Sequence, residues 1–290
     1  MSQHEIVADL HLHTSASDGE LAPEDLVLAA AAAGLQAIAI TDHDTLAGID
    51  AAQRQGKSSG IEVIAGCEIS TQFGAFEIHM LALFVDPHAT ALNALLERVQ
   101  GERLRRAMAI AAKLRAHGLA IEDSEVLEAA RGARAVGRPH VARALINKGY
   151  ARSFQDAFVR YLGERGMAFV PKQALPFQEV INAVHAAGGL AIMAHPGSWP
   201  HDEIIAQLLS RGVDGLEALY RTHSPVNRRF YSGLAERYQR LISGGSDFHG
   251  PRLTPGVTPG DAGVDKRVLA DLRRTAQQRA QYKSAGSSAR

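Results

Sequence analysis

Along the 290-residue chain, short apolar runs alternate with helical patterns, and that alternation leaves few folds open. The runs are EIVADLHLH, LQAIAIT, IEVIAGCE and FEIHMLALFV early in the chain, then GLAIMAH, VDGLEAL and RLISGGSD later. They make seven strand candidates. Between them stand helix signals: Pro23-Glu24-Asp25 opens a helix that Gly34 closes, and Pro176 opens one that ends at Gly188-Gly189. Strands that alternate with helices build a parallel sheet, closed or open.

The pattern breaks between about Leu95 and Val170, where LLERVQGERLRRAMAIAAKLRAHG reads as a long helix followed by shorter ones without a clear strand. Residues 96–170 are therefore expected to be a small helical insertion capping a barrel made of 1–95 and 171–280. The stretch HGPRLTPGVTPGDAGV reads as a loop, and residues 281–290 as a disordered tail.

A hydrophobic content of 46% fills a sizeable core. The lone Cys67 excludes a disulfide framework and a thiolate-rich zinc site, and is expected to be a small core residue. The opening MSQHEIVADL lacks a basic region followed by an apolar one. The stretch LVLAAAAAGLQAIAI is interrupted by Gly34 and Gln36 and falls short of the ~18 residues of a membrane span. A cytoplasmic protein with no membrane partner is the expectation. Formal net charge is zero, yet residues 101–172 hold 14 Lys and Arg against 7 Asp and Glu. The basic segment suits an anionic substrate and the acidic remainder suits cations.

Polar residues gather at the ends of the strand candidates. Ile6, Ala8, Leu10 and Leu12 alternate with Val7, Asp9, His11 and His13, so both histidines share one strand face, with Asp18 just beyond. Asp42 and His43 follow the second run, Glu68 ends the third, His79 lies in the fourth, His195 ends the fifth, and Asp247 and His249 end the seventh. In a parallel α/β barrel such ends converge on one mouth. Nitrogen and carboxylate donors without thiolates suit Mn²⁺, Fe²⁺ or Zn²⁺. Six histidines and three carboxylates exceed the needs of one ion, so two or three are expected. Arg138, His140, Lys172, Arg221 and His223 would ring the mouth and take the phosphates of a substrate.

The segments DLHLHT, TDHD, CE, EIHMLAL, AHP and GSDFHG, in this order, resemble the motifs of the polymerase and histidinol phosphatase (PHP) family. The resemblance implies a distorted (β/α)7 barrel with a centre of three divalent metal ions, Mn²⁺ first, with Fe²⁺ or Zn²⁺ as alternatives. It assigns His11, His13, Glu68 and Asp247 to one ion, Glu68, His79 and His195 to a second, and Asp18, His43 and His249 to the third. Asp42, before the metal histidine, takes a supporting catalytic position. Within the insertion, VGRPHVARALINKGY and AFVRYLGERGMAFVPK resemble the branch holding 3′,5′-nucleoside bisphosphate phosphatases and a related 5′-to-3′ exoribonuclease.

The expected activity is removal of the 3′-phosphate from a nucleoside 3′,5′-bisphosphate, with His223 as the candidate proton donor to the leaving oxygen and Arg138, His140 and Lys172 on the 5′-phosphate. The alternatives are an exoribonuclease on short RNA, a histidinol phosphate phosphatase, and a metal-binding module without turnover. Against the last, all nine ligand positions are filled. No G-x-x-x-x-G-K-[ST] or early G-x-G-x-x-G is present, and GGSDFHG lacks the second glycine of a serine-nucleophile elbow. No DNA-binding motif is found, and 6% aromatic residues give little sign of a long nucleic-acid groove. The sequence is silent on oligomeric state.

Overall fold

All seven apolar runs form strands. The computed structural model describes residues 5–74, 76–173, 175–198 and 202–287. Its strands are β1 (Ala8–Leu12), β2 (Ala37–Ile40), β3 (Glu62–Phe73), β4 (Phe76–Leu83), β5 (Leu175–Pro176), β6 (Leu190–Met193), β7 (Gly215–Tyr220) and β8 (Leu241–Gly245). They lie in the order β1-β2-β3-β4-β6-β7-β8, with the two-residue β5 paired to β3. The sheet curls into a nearly closed barrel, because Leu12 bridges Phe248 just past β8. Gly245 makes that approach possible: a Cβ there would stand 2.4 Å from the Cβ of His11.

One strand departs from the parallel expectation. β4 runs antiparallel to both β3 and β6. The cause is chain length: only two residues separate Phe73 from Phe76, whereas a parallel crossover needs a dozen or more. β3 also runs past Glu68 to Phe73, so Glu68 sits inside the strand and does not end it. Because β4 is reversed, its beginning faces the mouth, and His79 reaches the site from the first half of its strand.

Alternation sorts the side chains. Ile64 shares a strand face with Glu68, and Leu81 and Leu83 share one with His79; these belong to an apolar cluster that also holds Leu190 and Ile192. Leu269, Leu272 and Ala276 of the C-terminal helix pack on the same cluster. The opposite faces, with Ile38, Ile40, Ile69 and Met80, join the surrounding helices in the largest core.

The insertion has its own core, from Ala107 to Ala168. Its first helix, Thr90–Ala116, belongs to both: Leu92, Leu95, Leu96 and Val99 pack in the barrel core, and Ala107, Ile110, Ala111 and Leu114 in the insertion. The change of core thus falls between Val99 and Ala107, inside one helix, and not at residue 96. Cys67 is a buried, free core residue.

The C-terminal helix runs from Lys266 to Ser287, across most of the tail expected to be disordered; residues 288–290 lie outside the described residues. Its Ala, Gln, Arg and Lys composition favours continuation, with no proline to stop it. Among the described residues no helix is long and apolar enough to cross a membrane.

Arg279 fastens this helix to the barrel floor with a two-pronged contact to Asp214, both nitrogen–oxygen distances 2.7 Å, and donates to the Gly189 carbonyl. Asp214 also accepts from His185 at 2.8 Å. Burial pushes the Asp214 carboxyl up, but hydrogen bonds from Arg279 and His185 outweigh it and bring it down to about 2. Arg279→Ala should lower unfolding stability by about 3 kcal/mol at neutral pH, read by urea denaturation. A carboxyl depressed in the folded state stabilises above its unfolded value, so the deficit should persist down to about pH 4 and shrink as pH falls toward 2.

Candidate metal centre

Glu68, buried in the middle of β3, is the point on which the mouth converges. Its Oε2 lies 3.3 Å from His11 Nε2, 3.3 Å from His13 Nε2 and 3.2 Å from His43 Nδ1. Its Oε1 lies 2.7 Å from His79 Nδ1 and 3.0 Å from His195 Nε2. Asp247 Oδ1 stands 3.4 Å from His11 Nε2 and 3.3 Å from His13 Nε2. On the far side of His13, Asp18 lies 3.8 Å from His43 and 3.5 Å from His249. The structure brings all nine residues expected to be ligands together.

Donor atoms within 4.8 Å of one another define three overlapping groups: His11, His13, Glu68 and Asp247; His13, Asp18, His43 and His249; and His43, Glu68 and His79. The first matches the expected set. The other two differ in that His13 also faces Asp18 and His43 also faces Glu68, while His195 stays outside these groups and approaches only Glu68 Oε1.

These residues fit divalent cations. The ring nitrogens His11 Nε2, both nitrogens of His13, and His43 Nδ1 are buried with no hydrogen-bond partner. Burial pushes the Glu68 carboxyl up, but His43, His79 and His11 together hold it well below the usual carboxylate range. Asp247 behaves likewise, burial being outweighed by His11, His249 and His13. Buried imidazole nitrogens without hydrogen-bond partners facing ionised carboxylates in a water-poor site are the donor set of a cation centre. Backbone strain gathers here too: His195, Asp247 and Asp44 hold φ of 30°, 52° and 52°, values that non-glycine residues seldom adopt.

Asp42 supports the centre without joining it. It accepts from Thr14 N at 2.7 Å, Thr14 Oγ1 at 2.6 Å and Ser17 Oγ at 2.6 Å, and so shapes the loop that carries Asp18. Burial raises its pKa.

Two expected substrate residues are committed elsewhere. His140 accepts from Gly137 N at 3.0 Å and donates from Nε2 to the Ser17 carbonyl at 3.0 Å, fastening the insertion to the barrel. His223 donates from Nδ1 to the Ala218 carbonyl and accepts at Nε2 from Gly197 N, so it has no proton free for a leaving group. Sequence spacing placed both near the mouth but is blind to what their ring nitrogens meet. Arg221 stacks beside Tyr220, 5.8 Å from its ring centroid, and is not among the residues lining the two cavities next to the centre.

Arg138 and Lys172 do face the centre. Beside Asp18, His43 and His79 lies a cavity of about 190 Å³ lined by Arg103, Arg106, Arg138, Lys172 and Phe158. Arg103 and Arg106, three residues apart on the shared helix, are the cations that sequence reasoning missed. Arg103 is paired with Asp44, and Lys172 with Glu77. Among the described residues, neither Arg106 nor Arg138 has a carboxylate partner. Burial lowers both, Arg106 to about 10 with help from Arg138. On the other side of His79 opens a groove of about 380 Å³ lined by Arg138, His195, Ser198, Tyr220 and Asp247. Glu217 and Tyr220 were also missed: Glu217 takes the Nδ1 proton of His11, and Tyr220 donates to Asp247 at 2.9 Å. An acid between Leu216 and Ala218 was the available sign, since charge inside an apolar strand is buried only with a partner.

Comparison with known proteins agrees with this arrangement. A 5′-3′ exoribonuclease of Haemophilus influenzae is 38% identical over 254 residues, 84% of this chain and 90% of that protein. A 3′,5′-nucleoside bisphosphate phosphatase of Chromobacterium violaceum is 31% identical over 269 residues, 91% of this chain and 92% of that one. A solved structure from Bifidobacterium adolescentis, assigned as a metal-dependent phosphoesterase, superposes with a TM-score of 0.86 at 32% identity, covering 92% of this chain and 96% of its own. The PHP domain signature itself matches residues 9–243. The chain therefore belongs to the PHP domain family, and its barrel mouth is that of a metal-dependent phosphoesterase.

Proposed function

We propose that this phosphoesterase hydrolyses the ester at the 3′ oxygen of a nucleotide that keeps its 5′-phosphate, acting as a nucleoside 3′,5′-bisphosphate phosphatase. The observation that carries this reading is the juxtaposition of two unlike sites: the Glu68 cluster, and beside it a small cavity where, among the described residues, Arg106 and Arg138 have no carboxylate partner. A substrate with two separated phosphates satisfies both. At about 190 Å³ the cavity has room for the terminal phosphate of a nucleotide and little for a strand.

On this reading three divalent cations, Mn²⁺ first, are held by His11, His13, Glu68 and Asp247, by Glu68, His79 and His195, and by Asp18, His43 and His249. When bound, such cations supply a water acidic enough to attack phosphorus at neutral pH and offset the phosphoryl charge. The chain's own part is placement. Arg138, which borders both the cavity and the groove, would hold the substrate between them, and Arg106 and Lys172 would grip the 5′-phosphate.

Hydrolysis at the 5′ end of a short RNA is a second reading, supported by the open groove beyond His79 and by the identity to the exoribonuclease. The same 3′ ester is cleaved in both, and the groove would carry the departing strand. Phosphate release from adenosine 3′,5′-bisphosphate and mononucleotide release from a short 5′-phosphorylated RNA, measured side by side with Mn²⁺-loaded protein, decide between them. Fast bisphosphate turnover with intact RNA supports the first reading; RNA shortening with poor bisphosphate turnover replaces it by the second; inactivity on both sinks the two together.

Asp247→Ala should abolish turnover, and removal of metal by a chelator should do the same until Mn²⁺ is restored. Arg138→Ala should raise KM for the bisphosphate ~10-fold or more, the loss of one charged hydrogen bond, about 1.5–3 kcal/mol. The same variant should matter far less for a nucleoside 3′-monophosphate, which has no 5′-phosphate to lose.

A further inference from the structure

Glu217 lies in β7, fully buried, on the strand face that looks toward Glu68. No water reaches it, so each carboxylate oxygen needs a protein donor. One takes the Nδ1 proton of His11 at 2.9 Å. The other accepts the backbone N–H of His195 at 2.7 Å. These are two separate candidate metal ligands, from β1 and from the turn after β6, facing opposite oxygens of Glu68.

Each bond has a distinct consequence. A neutral imidazole that donates from Nδ1 presents Nε2 as a lone pair, and His11 Nε2 is buried without a hydrogen-bond partner beside Glu68 and Asp247. His195 holds a left-handed φ of 30°, which an ordinary side chain avoids unless its surroundings enforce it. The Glu217 contact to its N–H supplies that enforcement and aims the ring back at Glu68. A register shift in the β7–β8 pairing falls between Glu217 and Leu219, the kind of irregularity that re-aims a side chain near a site.

We propose that Glu217 is a positioning residue for two metal positions at once, one oxygen fixing the tautomer of His11 and the other the backbone of His195. This rests on the metal-centre reading above. Glutamine cannot replace it. If the amide NH₂ faces His11, the ring must move its proton to Nε2 and lose the lone pair aimed at the cluster; if it faces His195, two N–H groups oppose each other. The Asp18, His43 and His249 position has no contact with Glu217 and stands apart from this effect.

The test is metal content after dialysis against Mn²⁺, with affinities by titration calorimetry, for wild-type, Glu217→Gln and Glu217→Ala protein, alongside thermal unfolding. The expected result is partial: both variants keep one ion and lose the others, with affinity at those positions down ~10- to 100-fold. Wild-type stoichiometry and affinity in Glu217→Gln would overturn the proposal, as would uniform loss of every ion in step with unfolding. Wild-type protein that takes up no metal would overturn the metal-centre reading and the Glu217 assignment with it. If neither variant folds, ¹⁵N-histidine spectra of the Zn²⁺-loaded wild type carry the test, the His11 signal identified by its loss in His11→Ala. A protected proton on Nδ1 of His11 supports the assignment, and one on Nε2 refutes it.

Discussion

A carboxylate without water is among the most costly groups a protein can bury, and here Glu68 stands near the end of the barrel with five imidazoles from four chain segments around it. Its charge sets the terms for everything nearby. β1 brings His11 and its continuation His13, the turn after β2 brings His43, reversed β4 brings His79, and the turn after β6 brings His195. The sheet has to curl for these to meet, so the electrostatic demand of one side chain and the closure of the barrel are the same geometric condition. Layers of support follow outward: Asp42 on the loop of Asp18, Tyr220 on Asp247, and Glu217 on two histidines.

Much of this was legible in the sequence. The seven strands show as apolar runs between helix signals, and the nine candidate ligands show as residue types that sit poorly in an apolar strand unless they have work there. The direction of β4 was available in the two residues between Phe73 and Phe76, although strand-after-strand alternation alone suggests a parallel neighbour. Less accessible were contacts made far along the chain. His140 is bound to Ser17 across 123 positions, and Glu217 to His11 across 206, so no local pattern signals either. The histidines show the limit well. Nearness to a mouth follows from topology, but whether a ring nitrogen is free depends on single backbone groups such as Gly197 N–H and the Ala218 carbonyl.

The insertion gives the centre a charged flank. Arg103, Arg106 and Arg138 come from it, and they place positive charge on one flank of a cluster otherwise dominated by carboxylates and imidazoles. Their partners are divided: Arg103 is neutralised by Asp44 and acts as part of the wall, while Arg106 and Arg138 have no carboxylate partner among the described residues. Crowding two such cations in a half-dry cavity is unfavourable in the absence of an anion, which is how binding energy for one can be stored in advance.

The helix Thr90–Ala116 also bears on how the chain gets folded. Leu81 of β4 faces Ile192 of β6 across more than a hundred residues of chain, a long span to close by diffusion. The insertion shortens it. Lys113 and Arg106 of the outgoing helix bind the carbonyls of Phe169 and Val170 on the returning segment, so exit and entry are fastened side by side. Once that small core has formed from its own local contacts, the span left to order is about two dozen residues on either side, from Leu81 to Arg106 and from Val170 to Ile192. The cap is thereby a splint for the sheet as well as a wall for the site, and the longest connection between paired strands is cut by more than half.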